Sequence, residues 1–157
     1  MPMTSDPADP TLRREWLAVL AHAPRDALER YARSISAEGF EWLRPPETGL
    51  TMLRARIGNA GDRFNLGEAT LTRCVVRHRG VLGTTTAGLG YVLGRDAQRA
   101  EWTARLDALL QQSEHHAALM REVIGPLRKA TMAVQQAEAA RTAASRVRFF
   151  TLSPEAA

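Results

Sequence analysis

The segment ETGLTMLRARI, residues 47–57, decides the fold class because the spacing of its apolar residues changes from a helical period to a period of two. Successive side chains of a strand point to opposite faces of a sheet. Apolar and basic side chains alternate along this segment: Leu53, Ala55 and Ile57 on one face, Arg54 and Arg56 on the other. Turn-forming residues, GNAGD, follow at positions 58–62. We therefore predict a strand that ends in a turn, inside a chain whose flanks are helical.

Two further strands are predicted after this turn. Residues 68–78 are rich in β-branched side chains, and residues 81–93 form a third strand that is interrupted by Gly83, Gly88 and Gly90. Glycine weakens a strand, and its presence indicates either a bulge or the close approach of another backbone. Because the connections are short, we expect the three strands to form an antiparallel meander.

Helical periodicity occupies the sequence before the sheet. Apolar residues follow the i, i+3, i+4, i+7 spacing of one helix face: Trp16, Val19, Leu20 and Ala23. Pro24 suits the first position of a second helix, which we expect to end at Gly39. The prolines at positions 45–46 are expected to keep the chain extended before the sheet begins.

Helices also follow the sheet. Asp96 suits either the N-cap or the first turn of a helix, and a further helix is expected to be disturbed at residues 125–126, a Gly-Pro pair. The predicted fold class is therefore α+β, with an N-terminal helical pair, a central antiparallel sheet of three or more strands, and C-terminal helices with a docking tail. One domain is expected over residues 11–152, between a mobile tail at 1–10 and a short tail at 153–157.

Composition limits the class of protein. With 157 residues, of which 45% are hydrophobic, the chain has the length of one domain that folds without disulfides or a structural metal. Cys74 is the single cysteine, which excludes an internal disulfide framework and a cysteine-rich zinc site. No apolar run approaches membrane-spanning length, and the first ten residues have neither the basic nor the apolar region of a signal peptide. We therefore expect a cytoplasmic protein.

The net charge of +4 is concentrated in the predicted sheet. Residues 50–95 hold seven arginines and two acids, which gives +5, so the flanking helices nearly cancel. Five of these arginines fall on two strand faces: Arg54 and Arg56 on the first strand, Arg73, Arg77 and Arg79 on the second. If the two faces coincide, the sheet presents guanidinium groups suited to phosphate oxygens or to the carboxylates of a partner. A solvated outer face of the sheet is an equal alternative.

The sequence contains no recognisable catalytic set. The glycine-rich stretch 82–94 lacks the Lys-Ser/Thr of a phosphate-binding loop. The four histidines lack a metal-ligand spacing, and the adjacent His115 and His116 point about 100° apart on a helix. Cys74 alternates with apolar neighbours, so we interpret it as a small buried residue rather than a nucleophile. We expect this chain to contain no catalytic residue, bound cofactor or metal ion.

Eight short stretches occur in a fixed order along the predicted domain: WLAVLAH (16–22), ETGL (47–50), ARIG (55–58), GDRF (61–64), GEATLTR (67–73), GRD (94–96), DALLQQ (107–112) and SRVRFFT (145–151). Each stretch is weak alone. Together and in this order they resemble the PhnG family, the G subunits of the bacterial carbon–phosphorus (C–P) lyase core complex, which degrades phosphonates. The resemblance extends from about residue 11 to residue 152.

The resemblance implies a subunit that works with other chains rather than a free-standing enzyme. In that family the G subunit assembles with H, I and J subunits. With an L protein of the ATP-binding-cassette type, it supports transfer of an alkylphosphonate to C1′ of the ATP ribose, and adenine is released. ATP, S-adenosylmethionine and an iron–sulfur cluster are then expected on other subunits. The expected partner or anion contacts of this chain are Arg54, Arg56, Arg73, Arg77, Phe149 and Phe150.

Two alternatives to a subunit stay open. The basic sheet face would also suit a stand-alone module that binds anions or nucleic acid, whose binding to nucleic acid would weaken steeply with salt. Aromatic residues do not interleave with the arginines, which makes nucleic acid the weaker ligand. A small stand-alone hydrolase or transferase is disfavoured because no nucleophile–base pair or metal set is visible.

Overall fold

A computed structural model of the chain describes residues 9–57, 60–80 and 83–146. Its elements follow one another as α1 (Pro10–His22), α2 (Arg25–Ala32), β1 (Phe40–Arg56), β2 (Arg63–Arg79), β3 (Thr85–Leu93), α3 (Ala97–Leu110), α4 (Ser113–Leu119) and α5 (Gly125–Ala144). The predicted α+β class, with its helical pair, antiparallel sheet and C-terminal helices, is confirmed. The predicted docking tail, with Phe149 and Phe150, lies outside the described residues and stays a prediction.

The three strands form an antiparallel meander in the order β1-β2-β3, as predicted. β1 begins at Phe40 rather than at Glu47, so the prediction that the prolines at 45–46 precede the sheet was wrong. β1 is an edge strand, and its register against β2 shifts beside Leu43 and again beside the two prolines. Bulges on an edge strand leave backbone positions without a ladder partner, so they accommodate proline, which has no N–H to donate.

Three other boundaries differ from the predictions. β2 begins earlier than predicted, at Arg63, because it pairs with β1 along nearly its whole length. β3 begins later, at Thr85. α2 ends at Ala32, well before the predicted glycine. The hydroxyl of Ser34 donates to the Tyr31 carbonyl oxygen at 2.7 Å, a local hydrogen bond that competes with continuation of the helix.

Helix α3 packs very closely against one face of the sheet. A Cβ atom added to Gly88 would lie 1.9 Å from the carbonyl oxygen of Ala104, and one added to Gly90 would lie 1.9 Å from that of Ala100. The glycines of β3 therefore permit the close approach of another backbone, which is one of the two roles predicted for them. We call the covered face of the sheet the helix face, and the other the open face. The core at this contact contains Cys74, Val76, Val92, Ala100, Ala104 and Ala108.

A second core joins the helices. Its largest fully buried side chains come from α1, α2, α3, α5 and the turn that precedes α5: Trp16, Leu20, Leu28, Leu106, Leu110, Ile124 and Leu127. Asp96 caps α3, one of its two predicted positions, because its carboxylate accepts a hydrogen bond from the backbone N–H of Arg99 at 3.0 Å. The two cores share α3, which contributes one side to the sheet and the other to the helices.

Asp107 connects the two cores. Its side chain is fully buried on α3 and pairs with Arg13 of α1, whose Nη2 donates to Oδ2 at 2.8 Å. The indole N–H of Trp16 donates to Oδ1 at 2.8 Å, and the backbone N–H of Leu89 in β3 donates to Oδ2 at 2.9 Å. A buried carboxylate is tolerated when it is paired and fully hydrogen-bonded, as this one is. Asp107 thus fixes α1 and β3 relative to α3.

The C-terminal helices are interrupted just before the Gly-Pro pair at which the sequence predicted a disturbance. A π-helical turn, Met120–Ile124, joins α4 to α5, and Pro126 follows it in the first turn of α5. In the described part of α5 beyond Thr131, residues 132–144 are exposed, so this half of the helix projects from the core. No helix among the described residues is long and apolar enough to cross a membrane.

β1 and β2 extend well beyond β3. β3 pairs with β2 from Leu71 to Arg79, so residues 50–56 and 63–70 form a ladder with each other alone. We call this two-stranded ribbon the arm. Each of its strands is roughly 20 Å long. A two-stranded ribbon without a third strand or a covering helix is marginally stable in water, so the sheet at its base must hold it.

Candidate partner-binding surfaces

Two of the predicted contact residues, Arg73 and Arg77, lie on the open face, where each pairs with an acid of β1. Arg73 Nε donates to Glu47 Oε1 at 2.7 Å, and Arg77 Nη2 donates to Glu41 Oε2 at 2.6 Å. Each arginine is directly opposite its acid in the strand register. The hydrogen bond with Arg77 lowers the pKa of the Glu41 carboxyl. Exposed pairs of this kind add little stability, but they neutralise much of the predicted basic face.

The other two predicted arginines, Arg54 and Arg56, lie on the opposite face of the sheet. Glu47 faces Arg73 on the open face, and regular alternation along β1 from there puts residues 54 and 56 on the helix face. The register shift near the end of the arm arises from an extra residue in β2, Leu66, so β1 keeps its alternation. The two faces therefore do not coincide, and the arginines form two separate groups.

The second group lies near the end of the arm. Arg56 is directly opposite Arg63, and Arg54 lies on the same face, opposite Asn65. Within the described ranges none of these three arginines is part of an ion pair, and Arg56 donates to the carbonyl oxygen of Gly61 at 3.5 Å. Like charges that face each other across an antiparallel pair are destabilising. We call Arg54, Arg56 and Arg63 the arm arginines.

The arm also exposes large apolar side chains on both faces. Leu50 and Met52 lie on the helix face beside the arm arginines and are 68% and 51% exposed. Phe64, opposite Ala55, is 40% exposed on the open face, and Leu66 is 62% exposed at the bulge. Large apolar side chains that are exposed together on one element indicate a binding surface. The arm combines such a surface with unpaired positive charge.

The cysteine is not a candidate nucleophile. Cys74 is fully buried at the contact of the sheet with α3, as predicted, and its Sγ donates to the Ala100 carbonyl oxygen at 3.2 Å. Burial raises the pKa of the Cys74 thiol to about 12. Reactive cysteines need a stabilised thiolate, and this environment stabilises the neutral thiol.

The histidines are also engaged in structural bonds. Nδ1 of His78 accepts from the side-chain amide of Gln112 at 2.8 Å, and burial lowers the pKa of His78. His22 and His116 are bonded through Nδ1 to backbone carbonyl oxygens. None of these bonds joins a histidine to a hydroxyl or thiol, although a recess of about 500 Å³ opens beside His78 and His115. The described ranges contain no group of three or more His, Cys, Asp or Glu side chains placed to hold a metal ion.

Arg63 was missing from the predicted contacts. The reason is that the second strand was expected to begin at residue 68, which left Arg63 in a loop. Counting outward from the GNAGD turn pairs Arg63 with Ile57, whereas the strands pair it with Arg56, so the register could not be taken from the turn alone. Asp107 was missed as well, because its partners Arg13 and Leu89 are far from it along the chain.

These features define a class of protein. The described residues bring together no catalytic set, whereas a projecting arm exposes apolar and basic side chains. An exposed surface of this kind is typical of a chain that binds another protein.

Comparison with known proteins gives the family. A family model described as "Phosphonate metabolism protein PhnG" matches residues 11–153. The chain is 42% identical over 153 residues to a Rhizobium meliloti (strain 1021) protein named alpha-D-ribose 1-methylphosphonate 5-triphosphate synthase subunit PhnG. That match covers 95% of this chain and 93% of its relative. The chain belongs to the PhnG family of phosphonate metabolism proteins, and the resemblance found in the sequence is confirmed.

Proposed function

We propose that this chain is a required, non-catalytic subunit of the complex that synthesises ribose 1-methylphosphonate 5-triphosphate in phosphonate catabolism. In this reaction an alkylphosphonate is transferred to C1′ of the ATP ribose, and adenine is released. The observation that carries the proposal is the 42% identity, over 95% of this chain, to a protein named as a subunit of that synthase. The matched region includes the arm and both cores.

The proposed partners are the H, I and J subunits of the C–P lyase core complex, with an L protein of the ATP-binding-cassette type, in the cytoplasm. In this proposal ATP, S-adenosylmethionine and the iron–sulfur cluster are bound by those other chains. The buried thiol of Cys74 and the structural bonds of His78 support a non-catalytic role, because they leave two reactive residue types engaged in the fold.

The geometry supports the subunit over a stand-alone anion-binding module. Such a module would need several unpaired arginines on one broad face of the sheet. Arg73 and Arg77 are instead paired with Glu47 and Glu41, and the arm arginines lie on the opposite face. Of the arginines predicted on the open face, Arg79 alone has no ion pair within the described ranges, which is too few for such a module.

Reconstitution tests the proposed function. The chain is co-expressed with the H, I and J subunits from the same source, and the mixture is analysed by size-exclusion chromatography. Adenine release from ATP and methylphosphonate is then measured after addition of the L protein. We expect co-elution of this chain, loss of transfer when it is left out, and recovery when the purified chain is added back.

Two outcomes would contradict the proposal. One is full methylphosphonate-dependent adenine release in the absence of this chain. The other is a folded monomer that does not co-elute with the remaining subunits. In the second case binding to phosphorylated ligands and to DNA would be measured against salt concentration, because nucleic-acid binding loses affinity steeply as salt rises.

A further inference from the structure

The arm carries features that the stability of this chain does not explain. Arg56 and Arg63 face each other at its end, and Arg54 is two residues away on the same face. The three guanidinium groups repel one another, and no acid in the described ranges forms an ion pair with them. By contrast, Arg73 and Arg77, on the open face of the same strands, each have an acid directly opposite.

The large apolar side chains of the arm are also left exposed within the described ranges of the chain. Leu50 and Met52 are more than half exposed on the helix face, at the side of the arm arginines nearer the base. Farther along the same face, at Cys74 and Val76, α3 covers the sheet completely. The helix face thus continues past α3 as an uncovered strip, which carries Leu50 and Met52 near the base, Glu68 opposite Met52, and the arm arginines near the end.

We propose that the arm inserts into a groove of a partner subunit that is apolar at its mouth and acidic at its inner end. Leu50 and Met52 pack against the apolar part, and the arm arginines pair with carboxylates at the inner end. This docking proposal rests on the proposed function, since it needs a complex that contains the partner. The groove of the partner is complementary in charge and polarity to the strip on the helix face.

A protein groove explains the strip better than an anionic small molecule does. A triphosphate would pair with the guanidinium groups but would leave Leu50 and Met52 in water. A groove buries both parts and relieves the repulsion between Arg56 and Arg63. It also supplies the cover that a two-stranded ribbon lacks on its own.

Charge reversal on the arm tests this proposal. The variant Arg54→Glu/Arg56→Glu is compared with Arg14→Glu/Arg30→Glu, which makes the same change of net charge at exposed positions of α1 and α2. The affinity of each full-length chain for the complex that lacks this chain is measured by calorimetry. We expect the arm variant to bind roughly 30-fold more weakly or worse, and the control to bind within about threefold of the unsubstituted chain. Circular dichroism melting curves establish that both variants are folded.

A second variant changes the apolar part alone. Leu50→Ser/Met52→Ser keeps every charge, and we expect it to weaken binding at least about tenfold. Adenine release is then followed as each variant is titrated into the other subunits. For a docking defect, a saturating concentration of the variant restores the turnover rate.

The contrary results are distinct from failure of the proposed function. If the unsubstituted chain does not assemble, the proposed function has failed. If it assembles and the arm variants bind equally well, the arm is not the docking element. If saturating arm variant fails to restore turnover and the KM for ATP rises, the arginines act on the substrate, and the docking proposal is wrong.

Discussion

The two halves of the β1–β2 ladder differ sharply, although they belong to the same pair of strands. Near β3 and α3, every second residue of β2 is buried, as at Thr72, Cys74 and Val76. In the arm, Leu50 and Leu66 are mostly exposed, and like charges face each other. We call the part of the chain outside the arm the body. The body buries its apolar side chains within the chain itself, whereas those of the arm would be buried only by another surface.

This difference separates residues by what they stabilise. In the body, a substitution acts on the free energy of unfolding of this chain, because its contacts are internal. In the arm, a substitution acts mainly on the free energy of binding, because its contacts within the chain are few. The expected effects on stability therefore fall from the contact between α3 and the sheet, through the buried carboxylate, to the end of the arm.

The largest effect is expected at the contact between α3 and β3. Gly88→Val places a branched side chain where even a Cβ would lie 1.9 Å from the Ala104 carbonyl oxygen. The obstacle is helix backbone, which cannot rotate away, so α3 must separate from the sheet. We expect a loss of about 4 kcal/mol in the free energy of unfolding, measured by urea denaturation.

A glycine of β1 provides the matched control. A Cβ added to Gly49, at the base of the arm, would meet no atom within 4 Å, and its φ is not positive. Gly49→Val should change the free energy of unfolding by less than about 0.5 kcal/mol. Equal losses at Gly49 and Gly88 would remove the distinction between a covered and an uncovered region of the sheet.

A smaller but still large effect is expected at Asp107. Asp107→Asn keeps the shape of the side chain, but it removes the negative charge opposite Arg13. It also sets an amide N–H₂ group among donors from four residues, Arg13, Trp16, Leu89 and Gln111. We expect a loss of about 3 kcal/mol, which corresponds to a fall in Tm of roughly 10 °C for a chain of this length. An unchanged Tm would mean that Asp107 does not join the two cores.

Much of the body could be predicted from the sequence because its signals are local. The periodicity of Trp16 and Leu20, the cap at Asp96 and the Gly-Pro pair at 125–126 each report on neighbouring residues. The glycines of β3 were partly informative, since they indicated close approach without saying which element approaches. α3 provides that element.

The candidate site could be predicted only in part, because its geometry depends on register. The alternation of Arg54 and Arg56 placed them on one face of β1, and this is what the strand shows. Their separation from Arg73 follows from how the two strands align, including bulges that no local pattern revealed. The pairing of Arg73 with Glu47 required the same information.

The smallest effect on stability is also the one that best separates folding from binding. Arg56→Glu places a carboxylate directly opposite Arg63 and replaces a repulsive cross-strand pair with an attractive one. We expect a gain of a few tenths of a kcal/mol in the free energy of unfolding, together with weaker binding to the remaining subunits. A gain in stability together with a loss of affinity is characteristic of a residue whose role is to bind a partner. Substituting a residue whose role is to stabilise the fold would lower both the free energy of unfolding and the affinity. A variant that is less stable and yet binds normally would place Arg56 among the structural residues of the sheet.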